Sequence, residues 1–413
     1  MTPMLDVPLT AGMLPVVLAL AGALGLAALL VRLPRRRPAR TVALCVLGGV
    51  GLTAVLDFLV EYVWRPFPDR LDPAVLLWVA VALTGVLLAV VHVADRRSWR
   101  TAAASGTALI AVFAMAAAEI NIVYSAYPVV EDLMPVEYPD TVPAPEAGSK
   151  PARGKVVNAT IPATTSKFAA RPGLVYFPPA YLSAARGRFP VLVLLAGQPG
   201  GPRDWFVGGK LARTMDAYAQ RHNGVAPVVV VPDATGGPLA NPLCSDTRRA
   251  KAASYLGVDV PAWIRRSLPV ATEPSAWAVG GFSYGGTCAL QLATGYPDVY
   301  RSFLALSADA EPDLGGPART LAEGFDGDRA ALERNSPLRR MATQRYPDTA
   351  GVVVVGTDDP AVQAASVKIR SAAARSGMDV RERRLPGGHS FAVWTPGLAA
   401  ELDWLGARMG LGD

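Results

Sequence analysis

The sequence Gly-Phe-Ser-Tyr-Gly at residues 281–285 matches the pattern G-x-S-x-G, with Ser283 at its centre. Residues 276–283 form an apolar run that predicts a strand, and residues 284–297 have the spacing of a helix. A sharp strand-to-helix turn exposes the serine at its tip and needs small residues two positions away on either side, because strand and helix pack closely there. The start of the helix also favours negative charge beside the serine. The pattern and its setting predict that Ser283 is an activated nucleophile.

Ser283 would need a base, because a serine hydroxyl alone is a weak nucleophile. The chain has three histidines. His389 lies in a glycine-rich turn after the last predicted strand, where an imidazole can be exposed above a sheet, and we predict that it is the base. His222 lies at the end of a predicted helix, where a capping role at the surface is expected. His92 lies in an apolar run of membrane-spanning length and is excluded by its position.

A carboxylate is expected to hold the histidine in the required tautomer. A strand-like run of four valines ends just before Asp358 and Asp359, and one of these two should face His389. Asp309 and Glu311, which follow the preceding predicted strand, are alternatives. The chain order of serine, then aspartate, then histidine is that of the α/β-hydrolases.

Two backbone N–H groups would be needed to bind the negative charge that develops on the substrate oxygen. Tyr284, directly after the serine, is expected to supply one. The turn 197–201, which follows the apolar run 190–197, is expected to supply the other. Within this turn Gln198 is the best candidate, because Pro199 has no N–H.

The elements that must position these residues alternate between apolar strands and helices from about residue 153 to residue 413. Fully apolar strands separated by helices predict a mostly parallel sheet covered by helices on both faces, which is an α/β fold. Ligands of such sheets bind beyond the carboxyl ends of the strands, where the polar residues above are found. Residues 127–152, rich in proline and acidic residues, are predicted to form an extended stalk.

The first 126 residues have a different composition, dominated by Leu, Val, Ala and Gly. Four runs in this part are long enough for a helix to cross the hydrocarbon layer of a membrane. A single cleaved signal peptide does not fit, since there is no basic leading region and further runs follow the first. We therefore predict a four-helix transmembrane domain over residues 1–126. The predicted runs are Ala11–Leu33, Thr41–Val63, Ala74–Ala94 and Thr101–Ala126.

The arginines of the loops between these runs predict the orientation, because cytoplasmic loops are enriched in Lys and Arg. The first and third loops are rich in arginine, and the second is mixed in sign. The N-terminus and the C-terminal catalytic domain are thus predicted to be extracytoplasmic in a multi-pass protein of the cell membrane. These loops alone account for the chain's net charge of +6, so no basic patch remains that would indicate a nucleic-acid partner. The arginines are Arg32, Arg35, Arg36, Arg37, Arg40, Arg96, Arg97 and Arg100.

Four motifs of residues 150–410 resemble the esterase family of α/β-hydrolases, which includes esterase D, feruloyl esterases and mycolyltransferases. They are GFSYGG at the serine turn, GTDDP at the acid turn, PGGHSFAVWTPGL at the histidine turn and LLAGQPGGPRDW at the oxyanion loop. The family pattern places the acid third after the glycine, which favours Asp359 over Asp358. The oxyanion loop departs from the common His-Gly start, having Ala196-Gly197 instead. The four apolar helices are an addition to the family pattern.

The resemblance implies a serine esterase that acts through an acyl-enzyme and needs no metal or organic cofactor. The expected substrate is a carboxylic ester of the cell envelope, carried by a lipid, an aminoacyl-lipid or a carbohydrate. Acyl transfer to an alcohol, as in the mycolyltransferases, is an alternative outcome of the same triad. Two alternatives of other classes are a non-catalytic envelope scaffold or receptor, and a transporter with an appended enzyme.

The cysteines and the acidic residues of the apolar runs give two further hypotheses. Cys45 lies in the second run, where it would be a small apolar residue. Cys244 and Cys288 lie in the part predicted to be outside, where they either form a disulfide that braces the pocket wall or remain two buried thiols. Three acidic residues near the outer ends of the runs are either interfacial or form a patch that favours a cationic lipid head group. These are Asp57, Glu61 and Glu119.

Overall fold

The computed structural model describes residues 6–31, 38–141, 151–183 and 188–411. The chain divides into two compact units, Met1–Pro135 and Val136–Asp413. The division falls inside the segment 127–152 that the sequence predicts to be an extended stalk. Residues 130–133 form a 3-10 turn in the first unit, and residues 136–140 are part of the second unit, where Arg203 and Asn158 bond to their backbone. Residues 142–150 of the predicted stalk lie outside the described residues.

The described part of the first unit contains four helices that are long and apolar enough to cross a membrane, which agrees with the number expected from the sequence. Helix α2 continues into a π-helical turn, Leu59–Trp64. Helix α3 begins one residue earlier than expected, because Asp72 caps it by accepting a hydrogen bond from Ala74 N. The four helices are α1 Met13–Val31, α2 Pro38–Phe58, α3 Pro73–Arg96 and α4 Trp99–Tyr124.

Small residues bring these helices into close contact. A Cβ added to Gly49 of α2 would lie 2.2 Å from Thr84 Oγ1 of α3, and one added to Gly25 of α1 would lie 2.8 Å from the carbonyl oxygen of Ala108 in α4. Close approach at small residues is typical of helices that associate in a membrane, where no water is expelled from between them.

The two ends of the first unit meet each other. Leu9 N donates to Pro128 O at 2.8 Å, and Val130 N donates to Val7 O at 3.0 Å. The chain therefore enters α1 and leaves α4 on the same side of the bundle, as an even number of antiparallel crossings requires.

The second unit is built on an eight-stranded sheet with the order β1-β2-β4-β3-β5-β6-β7-β8. Strand β2 is antiparallel to both of its neighbours, and the remaining neighbours are parallel. This confirms the predicted α/β-hydrolase architecture with a mostly parallel sheet. The strands are β1 Lys155–Ala159, β2 Gly173–Phe177, β3 Val191–Leu195, β4 Val228–Val231, β5 Trp277–Phe282, β6 Ser302–Leu306, β7 Ala350–Gly356 and β8 Asp379–Leu385.

Every residue of β2 to β7 is buried, so both faces of the central sheet are covered. Strand β8 is partly exposed and charged, as is common for an edge strand. Short turns of π-helix, Tyr255–Asp259 and Thr320–Gly324, and of 3-10 helix, Pro202–Trp205 and Pro274–Ala276, interrupt the connections. The α-helices are α5 Pro179–Leu182, α6 Leu211–Arg221, α7 Ala252–Ser254, α8 Val260–Ser267, α9 Tyr284–Gly295, α10 Pro317–Arg319, α11 Arg329–Asn335, α12 Pro337–Thr343, α13 Pro360–Ser376 and α14 Phe391–Arg408.

Candidate active site

Ser283 occupies the turn between β5 and α9 in a strained backbone conformation, with φ 54° and ψ −123°. Its N–H donates to Leu306 O of the neighbouring strand β6 at 2.8 Å, which holds the turn in place. The flanking glycines are required by space. A Cβ on Gly281 would lie 2.2 Å from Gly285 O, and a Cβ on Gly285 would lie 2.2 Å from Leu195 O of β3. The two-residue spacing in the sequence therefore reflects contacts between the strand, the turn and the helix.

The structure brings Ser283, His389 and Asp359 into one hydrogen-bonded chain. His389 Nε2 lies 2.9 Å from Ser283 Oγ, and His389 Nδ1 lies 2.7 Å from Asp359 Oδ2. The Asp359 side chain is only 10% exposed, whereas that of His389 is 38% exposed. An Nδ1–H held by the carboxylate leaves Nε2 free to accept the serine proton. This arrangement can generate a serine nucleophile.

The other acidic candidates make different contacts. The Asp358 side chain is exposed, and its Oδ1 accepts from Thr357 Oγ1 at 3.3 Å. Asp309 N donates to Thr287 Oγ1 at 2.9 Å. Glu311 accepts a 2.6 Å hydrogen bond from Ser336 Oγ at the start of α12, and its burial raises the pKa of this carboxyl. Of the four candidates, Asp359 has a carboxylate with a hydrogen bond to His389.

The other two histidines are separate from this chain of hydrogen bonds. His222 follows α6, stacks on Tyr218 and lies 3.4 Å from Asp403 Oδ1. His92 is buried in α3 of the first unit.

Backbone hydrogen bonds join the acid turn to the histidine turn. Asp358 N donates to Gly387 O, and Thr357 N donates to Leu385 O, both at 2.9 Å. Gly356 permits this approach, because a Cβ there would lie 2.3 Å from Gly387 O. Gly387 itself has a φ of 121°, which favours glycine. Asp359 and His389 are therefore set by neighbouring strand ends that are hydrogen-bonded to each other.

A cluster of aromatic side chains supports the turn of Ser283. Phe282, the last residue of β5, stacks on Trp394 at 4.5 Å between ring centroids and meets Trp205 and Phe391 edge-on at 5.0 and 4.9 Å. Trp394 also forms a T-shaped contact with His389, with 5.3 Å between the ring centroids. Sequence reasoning did not identify this cluster, although Trp205 lies within the oxyanion motif, and Phe391 and Trp394 lie within the histidine motif.

The loop after β3 lies beside Ser283. A Cβ on Gly197 would lie 3.3 Å from Ser283 Cβ. The next residue, Gln198, is buried, and its Nε2 donates to Leu239 O at 2.9 Å. Tyr284 is the first residue of α9, so its N–H is one of those without an acceptor inside the helix. The structure thus places Tyr284 directly after Ser283, and Gln198 directly after the glycine that approaches Ser283.

The side chain of Tyr284 fixes the segment that follows β4. Its hydroxyl donates to Ala234 O at 3.1 Å and accepts from Cys244 N at 2.9 Å. Burial raises the pKa of this phenol well above its ordinary value, so it stays protonated as a donor. Cys244 is joined to Cys288 of α9 by a disulfide, whereas Cys45 is a buried free cysteine in α2.

The three acidic residues predicted near the outer ends of the apolar runs have different surroundings. Glu61 Oε2 lies 3.8 Å from Arg70 Nε, and Glu61 Oε1 accepts from Leu71 N at 3.3 Å. Glu61 is therefore a local partner of the loop between α2 and α3. Asp57 and Glu119 are half-buried in α2 and α4.

Residues 169–405 match the family model described as "Putative esterase". A curated protein of Corynebacterium glutamicum, described as uncharacterized, is 33% identical over 389 residues, which cover 89% of this chain and 90% of the relative. The match therefore extends through both units.

Two solved structures are similar in fold to the second unit. One is a ferulic acid esterase with a TM-score of 0.54 and 21% identity, over 62% of this chain and 99% of that one. The other is an S-formylglutathione hydrolase of Agrobacterium tumefaciens with a TM-score of 0.52 and 20% identity, over 63% of this chain and 98% of that one.

Proposed function

Because the chain belongs to the esterase family of α/β-hydrolases, we propose that it hydrolyses a carboxylic ester by means of Ser283, His389 and Asp359. The observation that carries this proposal is the continuous chain of hydrogen bonds from Ser283 Oγ through His389 to Asp359. A scaffold or receptor would have no use for three such groups in this geometry, which argues against the non-catalytic alternative.

The reaction has two steps. Ser283 Oγ attacks the ester carbonyl carbon, and its proton passes to His389 Nε2. The tetrahedral adduct then expels the alcohol, which takes the proton from Nε2, and an acyl group remains on Ser283 Oγ. In the second step His389 takes a proton from water, the hydroxide attacks the acyl carbon, and Ser283 Oγ leaves with the proton. Asp359 holds the Nδ1–H of His389 throughout.

The backbone N–H groups of Tyr284 and Gln198 are proposed to bind the oxyanion of both tetrahedral adducts. Tyr284 contributes the first N–H of α9, where the helix dipole favours negative charge. Gln198 lies in the loop whose Gly197 approaches Ser283 Cβ. Preorganised donors of this kind each contribute about 10²- to 10³-fold to kcat.

The catalytic unit is proposed to lie outside the cytoplasm of a cell whose membrane the first unit spans. The excess of arginine in the loops after α1 and α3 supports this orientation. The pairing of residues 7–9 with residues 128–130 supports the placement of both ends of the bundle on one side.

Water is the acyl acceptor of this proposal, and transfer to a carbohydrate or lipid alcohol is a distinct outcome of its test.

The proposed substrate is an envelope ester, and the membrane helices favour one carried by a lipid. The acidic residues of the first unit could favour a cationic head group such as that of an aminoacyl-lipid. Glu61 already has Arg70 as a partner, which leaves Asp57 and Glu119 for this role. Activity on an aminoacyl-lipid that survives the double variant Asp57→Asn, Glu119→Gln would remove the head-group hypothesis and leave the esterase.

The test uses the full-length protein purified in detergent. We expect wild type to release p-nitrophenol from p-nitrophenyl butyrate and Ser283→Ala to release none above background. The protein is then given three substrates in turn: phospholipid vesicles, aminoacyl-phospholipid vesicles and an acylated sugar. The acid released from each identifies the class of ester that is cleaved. Acyl-alcohol product formed in the presence of a sugar acceptor would identify a transferase. Equal turnover by wild type and Ser283→Ala would reject the proposal.

A further inference from the structure

Arg171, just before β2, holds the oxyanion loop from outside the triad. Its Nη2 donates to Gly200 O at 2.9 Å, two residues after Gln198. The same nitrogen lies 2.8 Å from Asp233 Oδ1 and 2.9 Å from Thr235 Oγ1, at the end of β4. One guanidinium thus connects the loop after β3 to the segment after β4.

Arg171 and Asp233 form a partly buried ion pair with several hydrogen bonds. Asp233 Oδ2 also accepts from Arg171 Nε at 3.0 Å and from Arg171 N at 2.7 Å, so the contact is bidentate. The Asp233 side chain is completely buried, and that of Arg171 is 29% exposed. Burial alone would raise the pKa of Asp233, but the hydrogen bonds and charge of Arg171 outweigh it and lower that pKa below its ordinary value. A buried charge with this many partners has a fixed position.

The segment 233–244 reaches both predicted oxyanion donors. Gln198 Nε2 donates to Leu239 O at 2.9 Å, and Gly200 N donates to Pro238 O at 2.9 Å. On the other side of the nucleophile, the Tyr284 hydroxyl bonds to Ala234 O and to Cys244 N. Displacement of this segment would therefore move both donors together.

We propose that Arg171 and Asp233 are positioning residues that set the oxyanion hole by locking the loop 197–201 onto the segment 233–244. The proposal rests on the proposed function, because an oxyanion hole has a role only in acyl chemistry. Neither residue touches the substrate. Their effect is on the tetrahedral adduct, in which the carbonyl oxygen becomes negative, and much less on the ground-state ester.

The experiment compares Arg171→Lys with a matched control in the same full-length protein. Arg301 has a side chain that is 27% exposed and pairs with Asp348 at 2.7 Å, away from the loop. Lysine keeps the positive charge at either site but lacks the planar fork that can bond to Gly200 O and Asp233 together. The readouts are kcat and KM for p-nitrophenyl butyrate, the inhibition constant of a trifluoromethyl ketone, and the melting temperature. Ser283 Oγ adds to the ketone carbonyl, whose oxygen becomes an oxyanion while His389 takes the serine proton.

For Arg171→Lys we expect kcat to fall about 10- to 100-fold with KM changed less than about twofold, because a donor displaced by about 1 Å can cost about that factor. The inhibition constant should rise by the same factor as kcat/KM falls, since the adduct and the transition state use the same donors. Arg301→Lys should leave all three constants within about twofold of wild type.

Asp233→Asn is the second variant and is used if Arg171→Lys does not fold. It keeps the shape of the side chain and removes its charge. It should show the same split between kcat and KM. A folded Arg171→Lys or Asp233→Asn protein with unchanged kcat and inhibition constant would overturn the inference. Loss of activity with unchanged affinity for the ketone would also overturn it. A wild-type protein without Ser283-dependent turnover would instead overturn the proposed function.

Discussion

Glycines make close contacts in both units of the chain, but the groups they meet differ. In the first unit a Cβ on Gly49 would meet a threonine side chain and backbone of the next helix. In the second unit a Cβ on Gly285 would meet the carbonyl oxygens of Leu195 and Ala196, next to the nucleophile. Tight packing in the first unit therefore serves helix association, whereas in the second unit it serves the position of Ser283, the proposed nucleophile. The same kind of substitution should give different losses in the two units.

The largest effect should come from the triad, where the second unit depends on one carboxylate. For Asp359→Asn we expect kcat to fall by about 10⁴-fold, because an amide no longer holds the histidine in the required tautomer. Asp358→Asn, at the adjacent exposed position, should stay within about twofold of wild type. Turnover of p-nitrophenyl butyrate by the two purified variants measures the difference. Equal losses in both would show that the acid of the triad is wrongly assigned.

Gly285→Ala breaks the packing of the second unit without changing a reacting group. The new methyl group would lie 2.2 Å from Leu195 O, so α9 must move and Ser283 with it. We expect kcat/KM to fall by about 10²-fold, the cost of a displacement of about 1 Å at a reacting atom. Gly237→Ala is the control, since its Cβ would meet only Ala240 Cβ at 3.6 Å. Wild-type kcat/KM in Gly285→Ala would contradict the role given to this contact.

Gly49→Leu makes the corresponding change in the first unit. The leucine would overlap Thr84, and overpacking of this kind costs about 1–3 kcal/mol. We expect a lower melting temperature in detergent and unchanged kcat for a soluble ester in the folded fraction. Gly51→Leu, whose Cβ would meet nothing within 4 Å, should melt like wild type. If Gly49→Leu reduced kcat instead, packing in the first unit would also be setting the active site.

The smallest effect concerns acid stability of the second unit. The folded-state pKa of Asp233 is lowered, so its contribution to stability is present above the unfolded value of about 3.9 and is lost as the pH falls through the folded value. Asp233→Asn should therefore melt below wild type at pH 7, and this gap should narrow as the pH falls below about 4. Asp348→Asn removes a carboxylate that is 72% exposed, so it should lower the free energy of unfolding by at most about 1 kcal/mol. A gap for Asp233→Asn that widens on acidification would contradict the lowered pKa.

Local patterns in the sequence were sufficient to predict the fold class and the four apolar helices. Strand-to-helix transitions around Ser283 and before Asp359 are local, because they depend on glycines and valines within a few residues. The choice of Asp359 over Asp358 came from the family resemblance. The local pattern could not decide it, because the two adjacent aspartates differ only in whether the turn points their side chains toward His389 or toward solvent.

The features that sequence reasoning missed depend on contacts between distant residues. Arg171 and Asp233 are separated by 62 positions, and nothing in the sequence near either of them indicates the other. The packing of residues 136–140 on the second unit was also missed, because a proline- and acid-rich segment predicts an extended chain. Arg203 donates to Val136 O, and Asn158 donates to Tyr138 O, so part of the predicted stalk belongs to the folded unit.

The most direct test of the central claim is the labelling of intact cells with a membrane-impermeant fluorophosphonate probe, in wild type and in Ser283→Ala. We expect a labelled band of this protein in wild-type cells and its loss in the variant, which would place an activated Ser283 outside the cytoplasm. A band that appears only after lysis would contradict the orientation. No Ser283-dependent band in intact or lysed cells would contradict the catalytic function itself.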